Sequence, residues 1–405
     1  MLQFKYQTLT PTLSSSVANP QIDFKNSPFS RQLKLEKWHS QTPRLAGLSS
    51  FGIGGANSHF ILEEGPTHHL ENHKNNISLP YICTISAKNE RALTSQKKSW
   101  LQYISRDNNE SLHDICLSSN QGRKHFQYRW AATAENIDDL KSKLQKDARM
   151  PHSGRTSQKT AFLFTGQGAQ CNQMGFELYQ TYPVFKKTID ECEDILEPLL
   201  EHKLSDIIFV PEGHKNAPLI HQTAYTQPCL FAIEYALFQL WQSWGVKADI
   251  VVGHSVGEIV ALCAAGIVSL EDGLRWIAKR GQLMQNVRSQ GTMLAVIAPP
   301  NDLAQHIQEH HKKVSVAAHN GPKATVLSGD SQHIQSIQQA LKKDGIVSQC
   351  LQVSHAFHSH HMDPMLDEYL SYTETIPFHE GNIPFISCVD GAMHQSLPNT
   401  NKYFN

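Results

Sequence analysis

Asp249-Ile250-Val251-Val252-Gly253-His254-Ser255-Val256-Gly257-Glu258-Ile259-Val260-Ala261-Leu262 is the stretch that decides the fold. A short apolar run meets a Gly-x-Ser-x-Gly turn, and an apolar helical pattern follows. Strand, sharp turn and helix in that order build a parallel α/β sheet. The two glycines permit a turn that lifts the Ser255 hydroxyl above the sheet. The helix start beside it brings a backbone N–H and a positive dipole end. That setting suits a nucleophile whose attack creates an oxyanion. Five-residue patterns also arise by chance on surface loops. Here the buried run before the turn and the apolar helix after it favour the nucleophile.

Working outward, Ala161–Phe164 is a second apolar strand, running into Thr165-Gly166-Gln167-Gly168-Ala169-Gln170. Helical periods fill 177–199 and 223–244, and two more helices are expected near 257–265 and 270–287. Residues 291–357 alternate as strand, helix, strand, strand, helix, strand, the split-βαβ ferredoxin-like order. They read as an insert, and catalytic groups often sit where such an insert meets the main sheet. A short helix near 362–372 and a strand over 384–389 follow.

The first 64 residues read differently. Leu45–Glu64 places a glycine-rich turn, Gly52-Ile53-Gly54-Gly55, between two strand-like runs. Phe60-Ile61-Leu62 is expected to be a buried strand, yet little chain precedes it to supply a sheet. Gly65–Pro80 is polar and reads as a linker. Residues 81–158 read as a small α/β unit: a strand at 81–86 with Ser86 capping a helix to about 105, a helix near 112–120, a strand at 129–133 and a helix at 137–146. It holds no catalytic constellation, so a spacer role is expected.

Composition bounds the class. A length of 405 residues suggests two to three domains. Lys+Arg 36 against Asp+Glu 37 gives a net charge of −1, which disfavours nucleic-acid binding. Apolar content of 40% excludes a wholly disordered chain. A mean hydropathy of −0.39 and the lack of a long apolar run argue against a membrane span. The opening residues lack the apolar core of a signal peptide. The eight cysteines are scattered without a C-x-x-C pair, which points to reduced thiols and a cytoplasmic location.

The 23 histidines are the unusual count. His355, His358, His360 and His361 crowd one segment. It could supply the base a serine nucleophile needs, ligate metal, or hold polar loop residues at His360 and His361. No Cys or carboxylate stands at zinc-ligand spacing, so no metal site is read from it. Arg280 follows Ser255 by 25 positions, among Leu274, Trp276, Ile277, Ala278, Leu283 and Met284. It is either a solvated helix charge or a fork for a substrate carboxylate.

These segments, in order, resemble the acyltransferase domain of type I polyketide synthases, related to malonyl-CoA:acyl-carrier-protein transacylases. The residues that carry the resemblance are Thr165–Gln170, Gly253–Gly257, Arg280-Gly281, Asn320-Gly321-Pro322 and His355-Ala356-Phe357-His358-Ser359. Leu45–Glu64 resembles the end of a ketosynthase domain. Residues 81–158, including Gly122-Arg123-Lys124-His125-Phe126, resemble the ketosynthase-to-acyltransferase linker domain.

The resemblance implies an α/β fold: a parallel-sheet, hydrolase-like acyltransferase core at 159–405, with the ferredoxin-like subdomain 291–357 inserted. A linker region and small α/β domain at 65–158 and a ketosynthase remnant at 1–64 precede it. It implies that Ser255 is the acylated nucleophile and His358 its base. Arg280 pairs with the free carboxylate of the substrate. Gln167 and Val256 give the backbone donors of the oxyanion hole, and Asn320 lies near the site. His355–His358 resembles the malonyl form of a specificity motif, with Phe357 closing the space an α-methyl would need. One methyl is worth about 1–3 kcal/mol, so such selectivity is leaky.

The expected reaction moves malonyl from malonyl-CoA, through a seryl ester, to the phosphopantetheine thiol of an acyl carrier protein. It needs no metal or bound cofactor. The expected partners are the carrier protein and the other domains of a polyketide synthase. Against the family's pattern, the upstream ketosynthase residues do not occur in the chain, nor do roughly sixty further downstream residues that include a Pro-Val-x-Phe-type strand. In relatives that strand accepts a hydrogen bond from the catalytic histidine. The expectation is therefore weak or absent activity for the chain alone. Two other readings stand beside it: a Gly-x-Ser-x-Gly hydrolase with an apolar pocket, and an inactive structural remnant.

Overall fold

The structure is a computed structural model. It describes residues 1–13, 17–65, 80–106, 110–146, 159–287, 291–351, 353, 355–397 and 403. The chain divides into two compact units, Met1–Ser78 and Leu79–Asn405. The expected linker at 65–80 lies almost wholly outside the described residues, as do 147–158 and most of the C-terminal tail.

In the first unit Leu45–Phe51 and Asn57–Glu63 form an antiparallel hairpin. The expectation of a buried strand fails here. Phe60 is 59% exposed and Ile61 76%. Among the described residues the ribbon has two strands only, and no second layer covers its apolar side chains. Arg44 pairs with Glu64 at the open end of the hairpin, Nη1 to Oε1 at 2.6 Å.

Residues 81–146 form a small α/β unit with its own core. Strands Tyr81–Ala87 and Tyr128–Ala134 pair antiparallel, and Leu93, Ile115, Trp130 and Leu140 are buried among them. The cap of the first helix differs from expectation. Asn89, not Ser86, accepts from the Ala92 N–H and starts the helix Glu90–Ile104. Ser86 stays in the strand, where its hydroxyl accepts from Phe126 N–H. The strand thus runs longer than expected.

Among the described residues the main sheet has four strands. Ala161–Phe164, Ile250–Gly253 and Phe385–Ile386 run parallel, and Met393–His394 is antiparallel at the edge. The central strand Ile250–Gly253 feeds the helix Val256–Ala265, all of whose residues are buried. That is why this helix reads as apolar all round. The long helix Thr223–Ser243 and the helix Leu270–Asn286 pack beside it. Ser269 caps the latter, accepting from the Asp272 N–H at 3.0 Å.

The insert is a four-stranded antiparallel sheet with two helices. Its order is Val314–Gly321, Ala324–Asp330, Gly291–Val296, Ser348–Cys350. Counted along the insert that is second, third, first, fourth, the split-βαβ topology expected from the element pattern. It carries a separate small core around Leu294, Leu327, Ile334 and Leu341. The strand Val314–Gly321 breaks register between Val316 and Ala318 and again between His319 and Gly321. Such irregularities re-aim side chains, and here the second flanks Asn320.

Candidate active site

The Gly-x-Ser-x-Gly turn is a strained elbow. Ser255 holds φ 54° and ψ −105°, an arrangement costing on the order of 1–3 kcal/mol. The turn is forced by close packing. A Cβ on Gly253 would lie 2.1 Å from the Gly257 carbonyl oxygen, and one on Gly257 2.3 Å from that of Phe164. Only glycine lets these backbones meet, so the pattern reports geometry as well as chemistry.

Two side chains from distant parts of the chain converge on Ser255. His358 Nε2 is 3.1 Å from Ser255 Oγ, across 103 residues of sequence. Arg280 Nη2 donates to the same Oγ at 3.2 Å, and its Nη1 donates to Gln227 Oε1 at 2.8 Å. The phenol of Tyr369 is a further partner of Arg280, and it accepts from Trp276 Nε1 at 3.1 Å. Arg280 is only 7% exposed. The solvated-charge reading of Arg280 therefore fails: the guanidinium is buried and held at the nucleophile.

His358 projects into the cleft, where water reaches its ring, yet protein crowds it on every other side. That burial, then the charges of Arg280 and His254, pushes its pKa down to about 4. Its backbone has φ 57°, a second strained residue at the site. Among the described residues no partner holds Nδ1. An imidazole with a lowered pKa is neutral, and so able to accept a proton, through most of the acidic range. The rate of seryl ester formation should therefore show an acidic limb below the ordinary 6.5. Arg280→Ala removes a cation that disfavours imidazolium, so its limb should move up toward 6.5. Both profiles are to be read with acetyl-CoA, which makes no use of the guanidinium. Superimposable limbs would remove Arg280 as a cause.

The backbone N–H groups of Gln167 and Val256 have no acceptor among the described residues. Val256 opens the helix after the elbow and Gln167 lies in the turn after Ala161–Phe164, and both N–H groups can bind an oxyanion. The Gln167 side chain turns away, donating to Thr223 Oγ1 at 3.3 Å. Its loop is anchored by Glu234, whose Oε1 accepts from Thr165 N–H at 2.8 Å and from the Thr165 hydroxyl. Burial pushes the Glu234 carboxyl up to about 7. Asn320 Oδ1 meets His254 Nε2 at 3.0 Å, which ties the insert to the elbow.

Two expected residues lie elsewhere. His355 and Phe357 are buried at 8% and 6% exposure, with ring centroids 5.7 Å apart. They stand behind the cleft and do not line it. The cleft of ≈ 1080 Å³ is walled instead by Met284, Met362, Met365 and Leu366 around Ser255, Arg280 and His358. Sequence reading also missed Gln227, Tyr369 and Glu258. Glu258 accepts from Cys388 N–H at 3.1 Å and from the phenol of Tyr403. Burial and that carboxylate push the Cys388 thiol up to about 12. Glu258 stands three residues after the nucleophile on the apolar helix, and a charge in that context was the available signal.

A serine at a strand-to-helix elbow, a histidine at its hydroxyl and free backbone donors define an acyl-transferring site. Residues 161–403 match the family described as "Acyl transferase domain", and residues 81–144 match "CurL-like, PKS C-terminal". The chain belongs to the acyl transferase domain family, in the form found in type I polyketide synthases. It is 32% identical over 406 aligned residues to polyketide synthase GfsA of Streptomyces halstedii, covering 97% of this chain and 5% of that protein. The chain thus spans a small part of the curated relatives it matches. The acyltransferase domain from module 8 of the salinomycin polyketide synthase superposes with a TM-score of 0.73 at 26% identity, covering 80% of this chain and 78% of that one. An acyl carrier protein S-malonyltransferase from Vibrio cholerae superposes with a TM-score of 0.53 at 28% identity, over 58% and 76% of the two chains. Among the described residues no helix is long and apolar enough to cross a membrane.

Proposed function

We propose that the chain transfers a malonyl group from malonyl-CoA to the phosphopantetheine thiol of an acyl carrier protein through an ester on Ser255. The observation that carries this reading is Arg280, buried and 3.2 Å from Ser255 Oγ. A malonyl thioester carries its carboxylate one methylene from the reacting carbonyl. A fixed guanidinium at the nucleophile suits that acid, whereas an esterase pocket gains nothing from a buried cation. The likeness to an S-malonyltransferase adds support.

In the first half-reaction His358 Nε2 takes the Ser255 proton as Oγ attacks the thioester carbonyl. The N–H groups of Gln167 and Val256 receive the oxyanion. The carbon–sulfur bond breaks, and the CoA sulfur leaves with the proton from His358. In the second, the carrier thiol gives its proton to His358 and attacks the ester. Ser255 then recovers its proton. No metal or bound cofactor enters these steps. We read the hairpin at 45–63 as the closing segment of a ketosynthase domain and residues 81–146 as its linker to the acyltransferase.

The test is a competition between malonyl-CoA, methylmalonyl-CoA and acetyl-CoA, read as the acyl group on Ser255 by mass spectrometry. Malonyl should dominate over acetyl by roughly 10-fold or more, because only an acyl group with a free carboxylate engages Arg280, whereas Phe357 stands behind the cleft and opposes no α-methyl. Equal loading of all three would refute the malonyl assignment while leaving acyl transfer standing.

A further inference from the structure

His360 and His361 follow the base by two and three residues and take no part in the transfer. The structure brings Asp330 to them at the root of the insert, where it pairs with Gly291 at the start of the insert's first strand. His361 Nε2 is 2.8 Å from Asp330 Oδ1, and His360 Nε2 is 3.1 Å from the same oxygen. The three donor atoms lie within 4.8 Å of one another. The two rings lie side by side, centroids 4.3 Å apart. None of the three residues lines the catalytic cleft.

We infer that Asp330, His360 and His361 form a binding site for a divalent first-row transition ion such as zinc. Bonds of about 2.0–2.2 Å from zinc to nitrogen and oxygen put neighbouring donors roughly 3 Å apart. The histidine-to-aspartate separations of 2.8 and 3.1 Å already fall near that value, so an ion needs only small side-chain movements to enter. Two imidazoles with one carboxylate favour zinc, cobalt or nickel over magnesium or calcium, which prefer all-oxygen sets. Three protein ligands leave room for water in a fourth position.

The frame around the site is built. Asp330 ends the strand Ala324–Asp330, while His360–Met362 form one 3-10 turn. Ser359 locks that turn: its hydroxyl donates to the Ala356 carbonyl at 2.7 Å and accepts from His361 N–H at 3.3 Å. The side chains of Asp330, His360 and His361 are 27%, 32% and 16% exposed, so an ion reaches them from solvent. Lys313 Nζ stands 3.5 Å from Asp330 Oδ2. It occupies the second carboxylate oxygen, leaving Oδ1 for the ion, and its charge opposes binding. Sequence spacing hid the site, because Asp330 lies thirty residues before His360 and only the sheet of the insert places it. A bound ion would clamp the insert to the segment that carries His358.

The test uses the full chain, freed of any affinity tag, with zinc or cobalt chloride alone. Equilibrium dialysis should find one zinc per chain, and cobalt should give visible ligand-field bands. The double variant H360Q/H361Q should weaken binding by about 10- to 100-fold or more, since it removes ligands outright. Lys313→Ala should tighten it several-fold by lifting the opposing charge. Zinc should raise the melting temperature of the wild type as mass action requires, and not that of the double variant. If the double variant does not fold, the cobalt spectrum and the Lys313→Ala shift decide on otherwise native protein. Absence of cobalt bands, an unmoved affinity in Lys313→Ala, or zinc retained by the folded double variant on the exposed thiols of Cys171 or Cys350 would each overturn the assignment.

Discussion

Ser255→Ala protein will form no acyl ester from malonyl-CoA, and any transfer to a carrier thiol will fall by on the order of 10⁶-fold, as when other serine nucleophiles are removed. The size follows from the geometry. His358 and Arg280 both address Ser255 Oγ, at 3.1 and 3.2 Å, and among the described residues no other hydroxyl meets both groups. The variant should also fold. Alanine removes one oxygen from a half-buried side chain, and the elbow itself is fixed by Gly253 and Gly257. A circular dichroism spectrum and a melting curve separate loss of chemistry from loss of structure. Stable ester label retained in Ser255→Ala would remove Ser255 as the nucleophile.

Arg280→Ala will lower malonyl loading by about 10²–10³-fold and raise the share of acetyl loading. Truncating one partner of a buried, hydrogen-bonded charge pair costs about 2–5 kcal/mol, and every 1.4 kcal/mol is a factor of ten. The malonyl carboxylate would lose its fork, while an acetyl group has no charge to satisfy. Arg280→Lys keeps the charge but not the bidentate geometry, so it should fall between. Gln227 and Tyr369 would lose a donor in both variants, so a melting curve must accompany the rates. Unchanged malonyl loading in Arg280→Ala would favour the hydrolase reading, in which this cation has no task.

Much of this was legible from the residues. The elbow was readable because strand, Gly-x-Ser-x-Gly and apolar helix constrain one another: each glycine is needed by a backbone contact under 2.5 Å. The insert was readable because its strands and helices alternate in one order, and its sheet follows that order. Other features are set by distant contacts that spacing does not encode. Helical periodicity places Arg280 on an apolar face, yet burial against Gln227 and Tyr369 depends on two other helices. Phe357 reads as a pocket wall in its motif, but the turn around it buries the ring behind the cleft. The run Phe60-Ile61-Leu62 reads as core because it is apolar, and exposure in the hairpin follows from the absence of a covering layer among the described residues of its unit. Asp330 and the histidine pair meet only through the sheet of the insert.

The lowered pKa of His358 and its free Nδ1 bear on rate in opposite directions. A neutral imidazole is ready to accept a proton, but nothing among the described residues fixes its tautomer. Orientation by a partner at the second nitrogen is worth up to about 10⁴-fold in serine hydrolases.

The most direct test of the central claim is single-turnover loading of the wild-type chain with radiolabelled malonyl-CoA. Peptide mapping follows, and then addition of a phosphopantetheinylated carrier protein. The account predicts label on the peptide carrying Ser255, stable until the carrier is added and then moved to its thiol. Label on another residue, or malonate released to water with none passed to the carrier, would contradict it.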